Sequence, residues 1–386
     1  MFGEQIFIHQ ITFPGAQIMI KPLLIDIPQA DLDDLADRLS RTRWPNEVAG
    51  AGWDYGFPLA RLKELAEYWR TGYDWRAHEA ELNELAHFTT AIDDQNIHFV
   101  HVRSSNPDAL ALILTHGWPG SFLEFLDVIE PLSRDFHLVI PSIPGFGFSG
   151  PTQERGWDIV RVARAWAELM RRLGYDRFGA QGGDFGSGIS MALGAVAPER
   201  VVGVHVNYLP ARPVPDTGIE LSETDEARLD KVRQLMANRP PYQALQATTP
   251  QTIGYALTDS PVGQLAWIAE RFAQWTGPRS HISDDRMLTD ISLYWLTATA
   301  ASSARLHRDT PRRTEPCPVP VGVAVFAHDI TQSVRPLAER LYDIRHWSEF
   351  DRGGHFAAME VPDLLAEDVR NFFVTLIKDA DILPTY

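Results

Sequence analysis

From about residue 87 onward, short apolar runs of strand length alternate with stretches of helical periodicity. The strand-like runs are His98–Arg103, Leu110–Thr115, Phe136–Pro141, Phe178–Gln181 and Val201–Asn207, followed much later by Val321–Ala327 and Arg345–Phe350. Helical segments stand between the later runs, at Trp157–Leu173 and Gly186–Ala195, and a last one lies at Asp363–Ile377. Few folds accept this pattern. Near-continuous apolar strands must be covered on both faces, and parallel strands need helical crossovers. The expectation is an α/β fold with a mostly parallel sheet. The interval from Tyr208 to Pro316 breaks the alternation: it is helical, Pro-punctuated and aromatic, and it reads as a cap inserted into the core.

Ahead of the sheet, residues 28–43 carry Leu32, Leu35, Ala36 and Leu39 at helical spacing, with acids early and arginines late. Leu59–Arg70 and Trp75–Leu85 read as two more helices, and a turn-rich aromatic loop from Arg43 to Pro58 precedes them. The expected organisation is an arm (1–21), a helical wrapping segment (22–86) and an α/β core made of two stretches, 87–207 and 317–386, with the cap (208–316) between them. The arm reads either as a loose extension or as a packed dimer contact.

Charge narrows the partners. The formal net charge of −16 speaks against general nucleic-acid binding, which needs a basic footprint, and against docking on anionic lipid. The single cysteine, Cys317, leaves no internal disulfide and no Cys-rich metal site. The first residues lack a basic and then apolar leader, and no apolar run reaches membrane-spanning length. A cytoplasmic protein without a membrane anchor is expected, and a homodimer is compatible with the sequence.

The sharpest local feature is Gly182-Gly183-Asp184-Phe185-Gly186, set between a strand and a helix. This is the G-x-Nu-x-G spacing of a nucleophile elbow, with aspartate where serine usually stands. The small flanking residues permit a tight, strained turn, and the helix N-terminus favours an ionised carboxylate. An aspartate that merely caps a helix after a Gly-rich turn fits the same residues. The rest of the chain adds weight to the first reading. Asp329 follows the strand Val321–Ala327, and His355 lies in a glycine-containing loop after the last strand, which gives the order nucleophile, acid, histidine. After Leu110–Thr115 comes His116-Gly117-Trp118-Pro119-Gly120-Ser121, placed to give a backbone N–H to an oxyanion hole. The donors would be the amides of Trp118 and Phe185, since Pro119 has none. His116 reads as structural, because such a loop needs backbone geometry more than another base.

Three motifs, His116-Gly-Trp-Pro-Gly-Ser, Gln181-Gly-Gly-Asp-Phe-Gly and Arg352-Gly-Gly-His-Phe-Ala-Ala, together resemble those of the microsomal-type (juvenile-hormone-type) epoxide hydrolases of the α/β-hydrolase superfamily. The likeness extends to Arg43-Trp44-Pro45, Asp259-Ser-Pro-Val-Gly263 and Leu293-Tyr-Trp295, and covers about residues 22–380. The length and acidic character look most like soluble bacterial members, some of which serve natural-product pathways. The resemblance implies an enzyme without cofactor or metal that turns a small-molecule epoxide into a vicinal diol. Asp184 would form a covalent ester, and His355, supported by Asp329, would activate the water that hydrolyses it.

Family members usually donate ring-opening protons from two cap tyrosines. The first corresponds to Tyr242, for which a buried structural aromatic is the other reading. The second position is His307 here, a departure; a neutral imidazole has one N–H to donate, and a structural role fits equally. Tyr255 and Tyr294 are further candidates, although Tyr294 has the look of a core residue. Phe185, where tryptophan is common, is a second departure, of less weight because its backbone N–H carries the role. A dehalogenase-like reaction at the same aspartate and a non-hydrolytic ligand-binding or cyclising relative are the competing readings. The aromatic content of the N-terminal segment and cap points to an apolar or aromatic substrate.

Overall fold

The computed structural model describes residues 12–13, 16–17, 19–211, 218–310 and 316–379. Most of the expected arm, 1–21, therefore lies outside the described residues, as do short stretches near both ends of the expected cap. Strands β1 (Thr12–Phe13) and β2 (Ala16–Gln17) form a small antiparallel pair.

The main sheet has nine strands: β3 (Lys21–Leu23), β4 (His87–Ile92), β5 (Gln95–Val102), β6 (Leu110–Thr115), β7 (Phe136–Pro141), β8 (Phe178–Gly182), β9 (Val201–Val206), β10 (Val321–Phe326) and β11 (Ile344–Phe350). Their spatial order is β11-β10-β9-β8-β6-β7-β5-β4-β3. From β11 to β7 all neighbours are parallel; β7–β5, β5–β4 and β4–β3 are antiparallel. The chain has the α/β-hydrolase fold. Every residue of β7, β8 and β10 is buried, which is why these strands read as mostly apolar runs without a solvent-facing alternation.

Two strands, β3 and β4, exceed the expectation. β3 is a three-residue edge strand containing Pro22, which an edge tolerates because no ladder bond is lost on its open side. β4 contains the polar pair Thr89-Thr90 and so lacks a clean apolar run. The helix Leu126–Ser133 is a further addition; it carries Pro131 in its interior. The helix starting at Trp75 ends at Leu82, three residues short of Leu85, and its N-terminus is capped by the Asp74 carboxylate, which accepts from the amides of Arg76 and Ala77. The helix expected from Gly186 starts two residues earlier, at Asp184.

Between β9 and β10 the described residues form six helices: Glu223–Ala237, Pro241–Thr248, Pro250–Asp259, Pro261–Trp275, Asp284–Leu296 and Ala300–Asp309. The N-terminal helices, Gln29–Ser40, Leu59–Thr71 and Trp75–Leu82, lie against this layer. Leu35, Leu39, Leu62 and Leu65 join one apolar cluster with Leu265, Ile268 and Phe272 of the cap. Polar ties fix the register. Trp69 Nε1 donates to Ser292 Oγ at 2.8 Å, Tyr73 Oη reaches Thr289 Oγ1 at 3.1 Å, and Arg61 pairs with Asp284 at 2.5 Å. The N-terminal segment thus wraps over the inserted cap. Among the described residues no helix is long and apolar enough to cross a membrane.

Candidate active site

Four loops leave the C-terminal ends of the parallel strands β6, β8, β10 and β11, on one edge of the sheet. In open α/β sheets that edge is where ligands bind. The β8 loop is the elbow. Asp184 has φ +47°, a left-handed conformation that costs a non-glycine residue roughly 1–3 kcal/mol. Gly186 makes the turn feasible, since a Cβ there would overlap the carbonyl of Thr115 on β6. A Cβ on Gly117 would likewise collide with the Asp184 side chain. The elbow and the β6 loop are therefore packed backbone against carboxylate.

That contact holds one carboxylate oxygen. The Trp118 N–H donates to Asp184 Oδ1 at 3.0 Å, and the Phe185 amide also binds the carboxylate. The other oxygen, Oδ2, lies 3.4 Å from His355 Nε2. On the far side of the imidazole, Nδ1 is 2.7 Å from Asp329 Oδ1, so the ring proton there belongs to Nδ1. Asp329 is buried, and its Oδ1 also accepts from the Ile330 amide at 2.6 Å. His355 is seated by its own N–H, which donates to the Trp275 carbonyl at 3.0 Å.

Charge follows from these contacts. Burial pushes the Asp184 carboxyl up, but the hydrogen bond and charge of His355 and the two amides outweigh it, and the group sits below the usual carboxylate range. Burial likewise disfavours an imidazolium at His355, yet Asp329 and Asp184 together raise it to about 10. In the free protein the pair is an aspartate–imidazolium ion pair with a second carboxylate behind it.

The β6 loop contains a cis peptide bond at Trp118–Pro119. His116 spends both ring nitrogens on backbone: Nδ1 lies 2.9 Å from the Gly117 carbonyl, and Nε2 accepts from the Ile143 N–H at 3.1 Å. Neither nitrogen is left for substrate. Tyr294 is buried and its hydroxyl donates to the Gly120 carbonyl at 2.7 Å, while Ser121 Oγ donates to Asp290 of the cap at 2.5 Å. Tyr255 is 69% exposed and so is not a wall of the site.

Two cap side chains face the elbow. The Tyr242 ring stacks on Trp118 (5.3 Å between centroids, 9° between planes) and meets Trp275 edge-on at 5.4 Å. The Arg271 guanidinium lies 4.9 Å from the same ring's centroid. Burial, and next the Asp184 charge, hold the Tyr242 phenol above its ordinary value despite Arg271. His307 meets Phe185 at 4.7 Å and Trp118 at 5.3 Å, both edge-on, and its centroid is 6.2 Å from Tyr242. The structure brings together all seven residues singled out from sequence: Asp184, Asp329, His355, Trp118, Phe185, Tyr242 and His307.

The sequence offers Trp275 only as one of the aromatics of the N-terminal segment and cap, with Trp44, Trp53 and Trp267, and gives no place at the site to Tyr208 or Glu124. Trp275 closes over His355, with ring centroids 5.0 Å apart. Tyr208, just after β9, meets the same imidazole edge-on at 5.4 Å. Glu124 takes a backbone hydrogen bond from Gly117 and lies so close to Gly120 that a Cβ there would overlap its carboxyl. Burial, and then Asp290, push Glu124 up to about 8. Its Ser-x-x-Glu spacing after Ser121 is that of a capping box, which hides it among ordinary helix starts. Among the described residues no group of three or more His, Cys, Asp or Glu is placed to hold a metal ion.

Residues 20–125 match the family model described as epoxide hydrolase N terminus, and residues 111–247 match that of the alpha/beta hydrolase fold. The chain is 45% identical to a putative epoxide hydrolase of Stigmatella aurantiaca, with 92% of this chain and 84% of that protein aligned. It is 34% identical to epoxide hydrolase 1 of Sus scrofa, over 92% of this chain and 88% of the other. Among solved structures, juvenile hormone epoxide hydrolase from the silkworm Bombyx mori superposes with a TM-score of 0.86 at 29% identity, covering 94% of this chain and 96% of that one.

Proposed function

The chain belongs to the epoxide hydrolases, and from that membership we propose how its own residues open an epoxide and which epoxides they accept. The observation that carries the reading is the asymmetry of Asp184: Oδ1 accepts from the Trp118 amide, whereas Oδ2 lies 3.4 Å from His355 Nε2, and the Phe185 amide also binds the carboxylate.

Oδ2 attacks one epoxide carbon. The C–O bond breaks, and its electron pair stays on the departing oxygen. Tyr242 gives that oxygen a proton, and His307 donates a hydrogen bond to it. Tyr242 recovers a proton, through solvent, from the His355 imidazolium. That transfer becomes favourable because esterification erases the Asp184 charge, one of the two that held the imidazole protonated. The neutral His355, still bonded to Asp329, then takes a proton from water. The resulting hydroxide adds to the ester carbon, and the charge on Oδ1 is stabilised by the same two amides. Collapse releases the diol with its second hydroxyl protonated, and restores the Asp184–His355 ion pair.

Trp118, Tyr242, Trp275 and Phe185 supply ring faces and edges around the reacting atoms, which favours an apolar or aromatic epoxide over a charged one. The test is trapping. A His355→Gln variant incubated with styrene oxide should gain the mass of one epoxide on the intact protein, mapped to Asp184, and Asp184→Ala should gain none. A wild-type protein that opens no member of an aryl and alkyl epoxide panel, with no adduct in the variant, would sink the proposal.

A further inference from the structure

Arg271 lies on the cap helix Pro261–Trp275, one turn before Trp275 and therefore on the same helical face. Its guanidinium carbon sits over the Tyr242 ring, 4.9 Å from the centroid, and 5.7 Å from the centroid of Trp275. The residue is only 8% exposed. Glu270 pairs with it at 2.6 Å, but Nε has no hydrogen-bond partner among the described residues. The Glu270 side chain is the wetter of the two, so water screens its charge more. Burying a cation with an idle N–H is costly. A methionine would fill the same space beside the tyrosine without that cost. What the guanidinium adds is charge.

Ring opening gives that charge something to act on. Beforehand, the negative charge of the reacting groups sits on Asp184, 3.4 Å from the His355 imidazole. A carboxylate oxygen then bonds to the epoxide carbon, the epoxide C–O bond breaks, and the freed electron pair takes the Tyr242 proton. Asp184 is now a neutral ester, and the charge has moved to the Tyr242 oxygen. The imidazolium does not travel with it, because Nδ1 is tied to Asp329 at 2.7 Å. The cation in contact with the Tyr242 ring is Arg271. In the resting protein, burial and then the Asp184 charge hold the phenol up, and Arg271 works against both. Esterification removes the second of these opponents.

We infer that Arg271 is a positioning residue that acts through Tyr242: its guanidinium stabilises the tyrosinate that exists between ring opening and the return of a proton from His355. This rests on the reading of Tyr242 as the proton donor. Stacking on Trp118 orients the ring but supplies no counter-charge. Arg271 is the cap's counterpart to His355, one cation waiting at each end of the path along which the negative charge moves.

The experiment is single-turnover alkylation by styrene oxide, read as ester mass on the intact protein after rapid quenching. Arg271→Met should slow alkylation by about 30-fold, with styrene oxide binding and hydrolysis of preformed ester nearly unchanged. Replacing Tyr242 with 3,5-difluorotyrosine, a more acidic phenol, should shrink the Arg271→Met deficit to about threefold. A deficit of the same size with either phenol would mean that Arg271 merely seats the ring, and overturns the inference. Glu270→Gln leaves the guanidinium in place and removes its counter-charge, so alkylation should quicken by about threefold. A rate at or below wild type in that variant also overturns the inference. Glu270 is partly exposed, so this arm stands even where Arg271→Met fails to fold. Alkylation at the wild-type rate in Tyr242→Phe overturns the donor reading, and the inference with it. A slow Tyr242→Phe beside an unaffected Arg271→Met overturns the inference alone.

Discussion

The strand-end loops and the cap hold their functional atoms in different ways. In the core, backbone does the holding: two amides on Asp184, the Ile330 amide on Asp329, and the His355 N–H on the Trp275 carbonyl. In the cap, side chains do it. Tyr242 is located by the faces and edges of Trp118, Trp275 and Arg271, and His307 by Gln246 and two rings. Backbone contacts survive most substitutions, whereas side-chain contacts change with the side chain. The core should therefore be intolerant at each reacting atom. The cap should accept more than one chemical solution, and a histidine beside Tyr242 over the elbow is one such solution.

Substitution can break this contrast. The largest loss should come from Asp329→Asn, which removes the charge behind His355 and leaves its Nδ1–H only a neutral amide oxygen to donate to. Steady-state turnover should fall by about 10³–10⁴-fold. The first alkylation should be far less affected, so that ester accumulates in a stopped-flow or mass time course. Equal slowing of both steps would mean that Asp329 serves ring opening as much as hydrolysis. Tyr242→Phe should cost about 100-fold in ring opening, with hydrolysis of preformed ester nearly unchanged. Turnover at the wild-type rate would remove Tyr242 from the chemistry. His307→Tyr should stay within about tenfold of wild type, because a hydroxyl can make the same single donation. A drop beyond 100-fold would show the cap to be as exacting as the core.

The smallest expected effect is one of stability. Glu124, at about 8 in the folded protein against 4.5 ordinarily, keeps a proton that the unfolded chain releases. Its contribution therefore declines as pH rises from about 4.5 through 8. Glu124→Gln cannot lose that proton, so its melting temperature relative to wild type should climb between pH 5 and pH 9. A constant difference would mean that the carboxyl titrates normally.

Legibility in the sequence divides along the same line. The core can be read because chain order maps onto place: a run, then a glycine-flanked aspartate; a run, then Asp329; a run, then His355. Spacing alone carries that information. The cap can be read only in outline, because its contacts join residues far apart in sequence. Nothing around Gln246 announces that its amide will meet His307, and nothing around Trp275 announces that it will cover His355. Glu124 stays hidden for another reason, since its local pattern has a sufficient and ordinary explanation in helix capping. β3 and β4 escape notice because one is three residues long and the other interrupts its apolar pattern with threonines.

The Trp118 amide that grips Asp184 Oδ1 gives the carboxylate a memory. When the tetrahedral species collapses, the oxygen bonded to the substrate carbon departs inside the diol and one from water takes its place. Oδ1, held throughout, stays. Provided the carboxylate does not rotate between cycles, the two oxygens have different lifetimes: one is spent and replaced at every turnover, while the other persists with the chain itself. In water enriched in ¹⁸O, a single cycle would leave the first diol unlabelled and the enzyme two mass units heavier. A thousand further cycles would make it no heavier.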